Sequence, residues 1–342
     1  MTKVAIVILN WNGEKFLKKF LPTVIKYSSN NYTEIIIADN DSKDNSVAFL
    51  KENYPDIRII QNETNGGFAK GYNDALKQVE AEYFVLLNSD VKVTQNWISP
   101  VIEMMDADKS IAAAQPKLLS YDAPEYFEYA GAAGGYIDIL GYPFCRGRIF
   151  QSIEKDTNQY NDEHEVFWAS GACMFVRKEL YHRFDGLDED FFAHMEEIDF
   201  CWRLKNKGYK IMYTPKSTIY HIGGGTLPKI SSYKAYLNIR NNNIMLLKNL
   251  PSNILIPVFI IRLIMDGIAA LKFAADGSIK DLLAVVKAHF DFYKMIPQTL
   301  KKRRLINPQK TSHIYRGNIV FDHFIKGKKK FSELDPKIFT KN

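Results

Sequence analysis

Short apolar runs that break abruptly into polar residues recur along the first third of the chain. Val4-Ala5-Ile6-Val7-Ile8-Leu9 steps into Asn10-Trp11-Asn12, Ile35-Ile36-Ile37-Ala38 into Asp39-Asn40-Asp41-Ser42, and Leu86-Leu87 into Asn88-Ser89-Asp90. Uninterrupted runs of this length suit strands buried on both faces of a parallel sheet. The pattern predicts strands near 3–9, 34–39, 57–61, 83–88 and 111–119. Helical stretches fall between them near 14–28, 44–53, 68–80 and 97–105, with Ser42 as a candidate N-cap for the second. Alternating strand and helix predict an α/β fold with a mostly parallel, Rossmann-like central sheet flanked by helices. Each strand then delivers Asn or Asp to the carboxyl edge of the sheet, where ligands bind in open α/β folds.

The pattern changes beyond 120. Residues 121–165 are rich in Gly, Tyr and charge with weak periodicity, and predict a long loop region over that edge. A strand-like run follows at 166–176, then a helix-containing segment at 191–207 and a strand at 209–213; helices dominate from 231 onward. The most apolar stretch, 253–275, is interrupted by Arg262, Asp266 and Lys272, and its longest polar-free run is Ile254–Ile261. That is short of the ~20 apolar residues a membrane span needs, so the expectation is an amphipathic helix.

Composition narrows the chemistry. Cys145, Cys173 and Cys201 lie far apart with no CxxC pair, which argues against zinc or a disulfide framework and for a reducing, cytoplasmic setting. The chain runs into a strand with no basic leader, so no signal peptide is expected. The net charge of +6 is uneven: residues 251–342 hold 17 Lys and Arg against 7 Asp and Glu, and the rest 28 against 32. A basic tail of this kind predicts an anionic partner, either a membrane surface or a polyanion. No reader motif accompanies the basic clusters, so nucleic acid is not expected.

Three strand ends carrying oxygen ligands suggest a nucleotide with a divalent cation. No GxGxxG follows the first strand and no GxxxxGK[ST] occurs. Instead Asn65-Gly66-Gly67-Phe68-Ala69-Lys70-Gly71-Tyr72-Asn73 combines glycines with amides at a helix start, read either as a diphosphate or sugar cradle or as a simple loop-to-helix turn.

Taken in order, these motifs resemble those of family 2 glycosyltransferases over residues 3–245, in the manner of the rhamnosyltransferase-like enzymes of bacterial surface polysaccharide assembly. The resemblance implies a GT-A fold, a nucleotide-diphosphate sugar donor and inversion at the anomeric carbon. It implies a catalytic domain over 1–250, with a donor half to about 120 and an acceptor half beyond, and a basic helical extension over 251–342. It places Asn10, Asn12 and Glu14 around the nucleotide, Asp39 at the base with Asp41 nearby, and Asn65, Gly67 and Asn73 in the donor cradle. Asn88 and Ser89 stand in the DxD position with Asp90 as the principal carboxylate for Mn2+ or Mg2+; Asn88 replaces the first acid of that motif. Phe191-Phe192-Ala193-His194-Met195-Glu196-Glu197-Ile198-Asp199-Phe200-Cys201-Trp202-Arg203 resembles the FFxxxEDxDxxxR segment, so that Glu197 is the implied base, where Asp is usual. Glu196, Asp199 and Arg203 are supporting residues, or simply ion pairs along one helix. His221 is implied to complete the metal's coordination, with a structural hydrogen bond as the alternative, and Arg240 to touch phosphate. The tail (Lys301-Lys302-Arg303-Arg304 and Lys326 to Lys330) fits either a peripheral site on the inner face of the plasma membrane, beside a polyprenyl-linked glycan acceptor, or a subdomain packing on the body or a second subunit in a homodimer. A nucleotidyltransferase and an inactive glycan- or lipid-binding scaffold are the competing readings.

Overall fold

The structure is a computed structural model that describes residues 2–223 and 231–341; Gly224, Gly225 and Thr226, part of the small-residue run after His221, lie outside the described residues. The donor half comprises β1 (Val4–Asn10), α1 (Glu14–Ser28), β2 (Thr33–Asp39), α2 (Ser46–Asn53), β3 (Arg58–Gln61), α3 (Gly67–Leu76), β4 (Tyr83–Asn88), β5 (Val91–Val93), α4 (Ser99–Ala107) and β6 (Ile111–Ser120). Then come four short strands, β7 (Gly135–Asp138), β8 (Pro143–Cys145), β9 (Arg148–Ile149) and β10 (Ser152–Ile153), followed by β11 (His164–Val166), β12 (Cys173–Arg177), α5 (Lys178–Arg183), α6 (Glu196–Lys205) and β13 (Lys210–His221). Three long helices, α7 (Ser232–Asn249), α8 (Ser252–Ala275) and α9 (Ile279–Ile306), precede β14 (Ile314–Tyr315) and α10 (Ile319–Phe324).

The central sheet runs β11-β13-β6-β12-β4-β1-β2-β3, with β5 paired to β13. Its apolar runs are buried on both faces. Val4, Ile6 and Ile8 of β1 and Tyr83, Val85 and Leu87 of β4 join one core, while Ala5, Val7, Phe84 and Leu86 join the other. The sheet is mixed rather than mostly parallel. β1 to β4 pair in parallel, but β12 inserts antiparallel between β4 and β6. The run at 166–176 is therefore not one strand: it ends β11 at the sheet edge, crosses at 167–172 and resumes as β12 in the middle.

The expected loop over 121–165 carries four short strands that join a second sheet, β10-β9-β8-β7-β14. Its strands of two to four residues are too short to show a period of two, and its last member arrives from the far end of the chain, β14 pairing with β7. Tyr315, Phe331 and Phe339 close over Tyr136 and Phe144, their ring centroids 5.0 to 6.4 Å apart. The C-terminal extension thus returns to the body.

α8 is continuous for 24 residues, and by length and composition it is apolar enough to cross a membrane, contrary to the expectation from its interrupting charges. Two of the three interrupting charges, Arg262 and Asp266, face inward, while Lys272 is exposed. Arg262 and Asp266 are 2% and 3% exposed, pair with each other at 3.1 Å, and meet the Tyr142 ring and His289.

Candidate active site

Strand register assembles the donor edge. β1 and β2 pair so that Asn10 lies beside Asp39, and β4 pairs with β1 so that Asn88 lies beside Leu9. Asn10 Nδ2 donates to Asp39 Oδ1 and to Ser42 Oγ, both at 3.1 Å, and Asp39 Oδ2 accepts from Ser42 N. Asn12, at φ +50°, turns its Oδ1 to the amides of Lys43 and Asp44. Ser89 Oγ sits against Gly13. Two expected contacts point elsewhere: the Glu14 carboxylate pairs with Lys18, and Asp41 pairs with Lys43.

The glycine segment also has occupants of its own. Asn65 Oδ1 accepts from Asn40 Nδ2 and Gly67 N, and the amides of Phe68 and Ala69 donate to Phe192 O at 2.6 and 3.4 Å. Asn73 donates to Leu187 O and accepts from Tyr181 OH and Leu187 N. The start of α3, read as a cradle, grips the loop before α6 through these bonds. Gly67 is at φ +81°, and a Cβ there would lie 2.4 Å from Phe192 O, so this approach requires glycine.

Asp90 meets His221 because β5 pairs antiparallel with the end of β13, Val91 opposite His221. His221 Nε2 lies 3.1 Å from Asp90 Oδ1 and 3.5 Å from Asn88 Nδ2. On the other side of the ring, Nδ1 lies 3.2 Å from Glu128 Oε1. Burial lowers the imidazole pKa, but the Glu128 and Asp90 carboxylates outweigh it and push it up to about 10. Glu128 was missed from sequence. It lies in the stretch without periodicity and reaches the site through the bridge between Leu119 and Phe127. No local signal marks it. Among the described residues, no group of three His, Cys, Asp or Glu is spaced as a complete metal site.

The base segment is strained and heavily held. Phe192, His194 and Met195 all have positive φ, at +63°, +70° and +74°, a conformation that non-glycine residues keep only when their surroundings impose it. Asn241 Nδ2 donates to the carbonyls of Phe191, Ala193 and His194. Arg240 donates to those of Asp190 and Phe191, so the guanidinium expected to touch phosphate positions the loop instead. Beneath it, Asp199 is fully buried and accepts from Arg203 Nε, Lys248 Nζ and Asn249 Nδ2 at 2.8 to 2.9 Å. Lys248 also binds Asp188, and Lys302 of α9 binds Asp188 and Asp190 at 2.6 Å. Asp199 and Arg203 are therefore scaffold.

Glu196 and Glu197 open α6. Both have one buried carboxylate oxygen with no hydrogen-bond partner. Burial pushes the Glu197 pKa up to about 7, against the pull of backbone amides at the helix start; burial and then the Glu197 charge push Glu196 well above the usual carboxylate range. The Glu197 Cβ lies 3.8 Å from where a Cβ of Gly171 would stand. One residue on, Ala172 O accepts from Asn88 N. Glu197 and the Asn88 end of β4 thus both border the 170–172 segment.

Oxygen-rich strand ends at one edge, a carboxylate–imidazole pair and a buried carboxylate at the start of α6 sit in a chain whose comparisons give a nucleotide-sugar glycosyltransferase of the GT-A fold. The family model for Glycosyl transferase family 2 matches residues 5–184, and the chain belongs to that family. The match stops short of Glu197 and His221. The N-acetylglucosaminyl-diphospho-decaprenol L-rhamnosyltransferase of Mycobacterium tuberculosis is 22% identical over 231 residues, 63% of this chain and 75% of the relative. The crystal structure of S. aureus TarS 1-349 with UDP-GlcNAc superposes with a TM-score of 0.56 at 16% identity, over 90% of this chain and 86% of that one. GalNAc-T7 with UDP, GalNAc and Mn2+ superposes with a TM-score of 0.57 at 16% identity, over 74% of this chain and 49% of that one. These likenesses concern the fold.

Proposed function

We propose that the protein transfers a sugar, with inversion, from a nucleotide-diphosphate donor to a hydroxyl of a glycan or polyprenyl-linked glycan in surface polysaccharide synthesis. The observation that carries this reading is Glu197 at the start of α6, with one buried carboxylate oxygen lacking a hydrogen-bond partner, beside the 170–172 segment that also holds the end of β4. A neutral sugar hydroxyl is a poor nucleophile, and a positioned carboxylate that takes its proton contributes ~10²–10⁴-fold. Asn10, Asp39 and Asn12, tied together at the strand ends, form the floor for the nucleoside.

Asp90 and His221 are the residues that would hold a divalent cation. Their donor atoms suit one: a carboxylate and an imidazole nitrogen 3.1 Å apart, with the far ring nitrogen turned to Glu128, as ligating histidines turn theirs to a carboxylate. Mg2+ or Mn2+ bound through so few side chains leaves the remaining positions to substrate phosphates. When bound, it supplies charge neutralisation for the departing diphosphate. The Mn2+ in the GalNAc-T7 structure supports a cation, and the mycobacterial relative, a rhamnosyltransferase to a diphospho-decaprenol-linked sugar, supports a lipid-linked acceptor and a rhamnosyl donor.

Thermal unfolding against UDP, dTDP, GDP and CDP, each with and without Mn2+ or Mg2+, tests the reading. One nucleotide at ~100 times its dissociation constant should add about 2.7 kcal/mol, with a metal-dependent part that Asp90→Ala removes. No shift with any of the four would overturn it.

A further inference from the structure

The side of α8 turned away from the body carries an exposed apolar face. Ile256, Ile260, Ile264, Ile268 and Leu271 are 55% to 71% exposed, and their spacing sets them along one side of the helix. The opposite side carries Val258, Arg262 and Asp266, all buried against the body. Every charge between Ser252 and Leu271 is on that inner side, so the outer side is wholly uncharged over about 20 residues, or ~30 Å of helix. Beside it, α9 exposes Ile279, Leu283, Val286, Phe290 and Tyr293. Lys280, Lys287, Lys294 and Lys301, all exposed, recur along α9 at every seventh residue, a spacing that drifts only ~20° per step. The two helices are joined by Phe259 stacked on Phe292, centroids 5.7 Å apart.

We propose that the outer face of α8 lies in the interfacial plane of an anionic lipid bilayer, with the lysine row of α9 at the headgroups. Charge decides between occupants. A second copy would bring two lysine rows together, and its interface core would be aliphatic where such cores favour aromatics and Arg. A lipid surface offers hydrocarbon to the isoleucines and negative charge to the lysines, the combination that interfacial helices use. α8 lies on the surface rather than spanning it, because its inner side is fixed to the body by Arg262, Asp266, His289 and Tyr142.

The test is co-sedimentation of the full-length protein with vesicles of phosphatidylcholine alone or mixed with phosphatidylglycerol. The wild type should bind the anionic vesicles, and the double variant I260E/I264E should bind more than ~10-fold less. K294E/K301E should lose ~5-fold per lysine on anionic vesicles only. Both variants should keep the wild-type melting temperature and nucleotide response, so failure here is distinct from failure of the transferase reading. Four results would overturn the proposal: no wild-type binding, undiminished binding by I260E/I264E, a lipid-free dimer that I260E/I264E dissociates, or retention in the pellet after alkaline carbonate extraction.

Discussion

The donor edge and the base loop are built in opposite ways. At the ends of β1 and β2 the polar side chains are positioned by the register of neighbouring strands, and their partners lie within a few tens of residues: Asn10 with Asp39 and Ser42, Asn40 with Asn65. The base loop has little regular structure of its own. It holds three residues at positive φ and is fixed by Asn73 from α3, Arg240 and Asn241 from α7, and Gln298 and Lys302 from α9. One half of the site is therefore intrinsic to the sheet, while the other depends on helices that arrive later in the chain. Changes behind the base loop should damage catalysis out of proportion to their distance from substrate.

The strongest way to break that loop is Asp199→Ala. It removes the buried acceptor that Lys248, Arg203 and Asn249 share, and removing one partner of a buried charge network costs about 3–5 kcal/mol, read as a lowered urea midpoint. Asp39→Ala, at the donor edge, loses two hydrogen bonds to the carboxylate and should cost about 1–3 kcal/mol. Gly67→Ala forces a Cβ against Phe192 O at φ +81°; it should cost about 1–3 kcal/mol and lower kcat by moving the loop. Lys302→Met removes a one-third-exposed ammonium from Asp188 and Asp190. It should cost only about 1 kcal/mol, yet reduce kcat while leaving nucleotide affinity unchanged.

A pH profile sharpens the same contrast. Glu197 is raised to about 7 by burial, and only its carboxylate accepts a proton, so the acid limb of kcat/KM should rise through about pH 7. The linkage has the corresponding sign. Folding holds this proton more tightly than the unfolded chain does, so the group's contribution to stability is present at low pH and is lost as pH rises towards about 7. At the small end, Lys43→Ala removes an exposed pair with Asp41 and should change stability by less than ~0.5 kcal/mol.

Much of the donor edge was legible because one local signal, an apolar run ending in Asn or Asp, fixes both the strand and the place of its last side chain. The meeting of Asp90 with His221 needed the β5–β13 pairing, which no local pattern announces, and Glu128 needed a return strand inside a stretch without periodicity. The mixed sheet was hidden because the apolar run at 166–176 reads as one strand, although its two ends pair at different places. The second sheet was hidden because its strands are too short and β14 is distant in sequence. In α8, Arg262 and Asp266 looked like interruptions because a sequence shows charge without showing which side of the helix bears it.

The central claim is that Glu197 takes the acceptor's proton while contributing nothing to donor binding. The direct measurement is Glu197→Gln, a near-isosteric change, with nucleotide affinity from calorimetry set beside kcat for sugar transfer. The account predicts an unchanged dissociation constant and a kcat lower by ~10²–10⁴-fold. Turnover close to wild type, or a loss of nucleotide binding that matches the loss of rate, would contradict it.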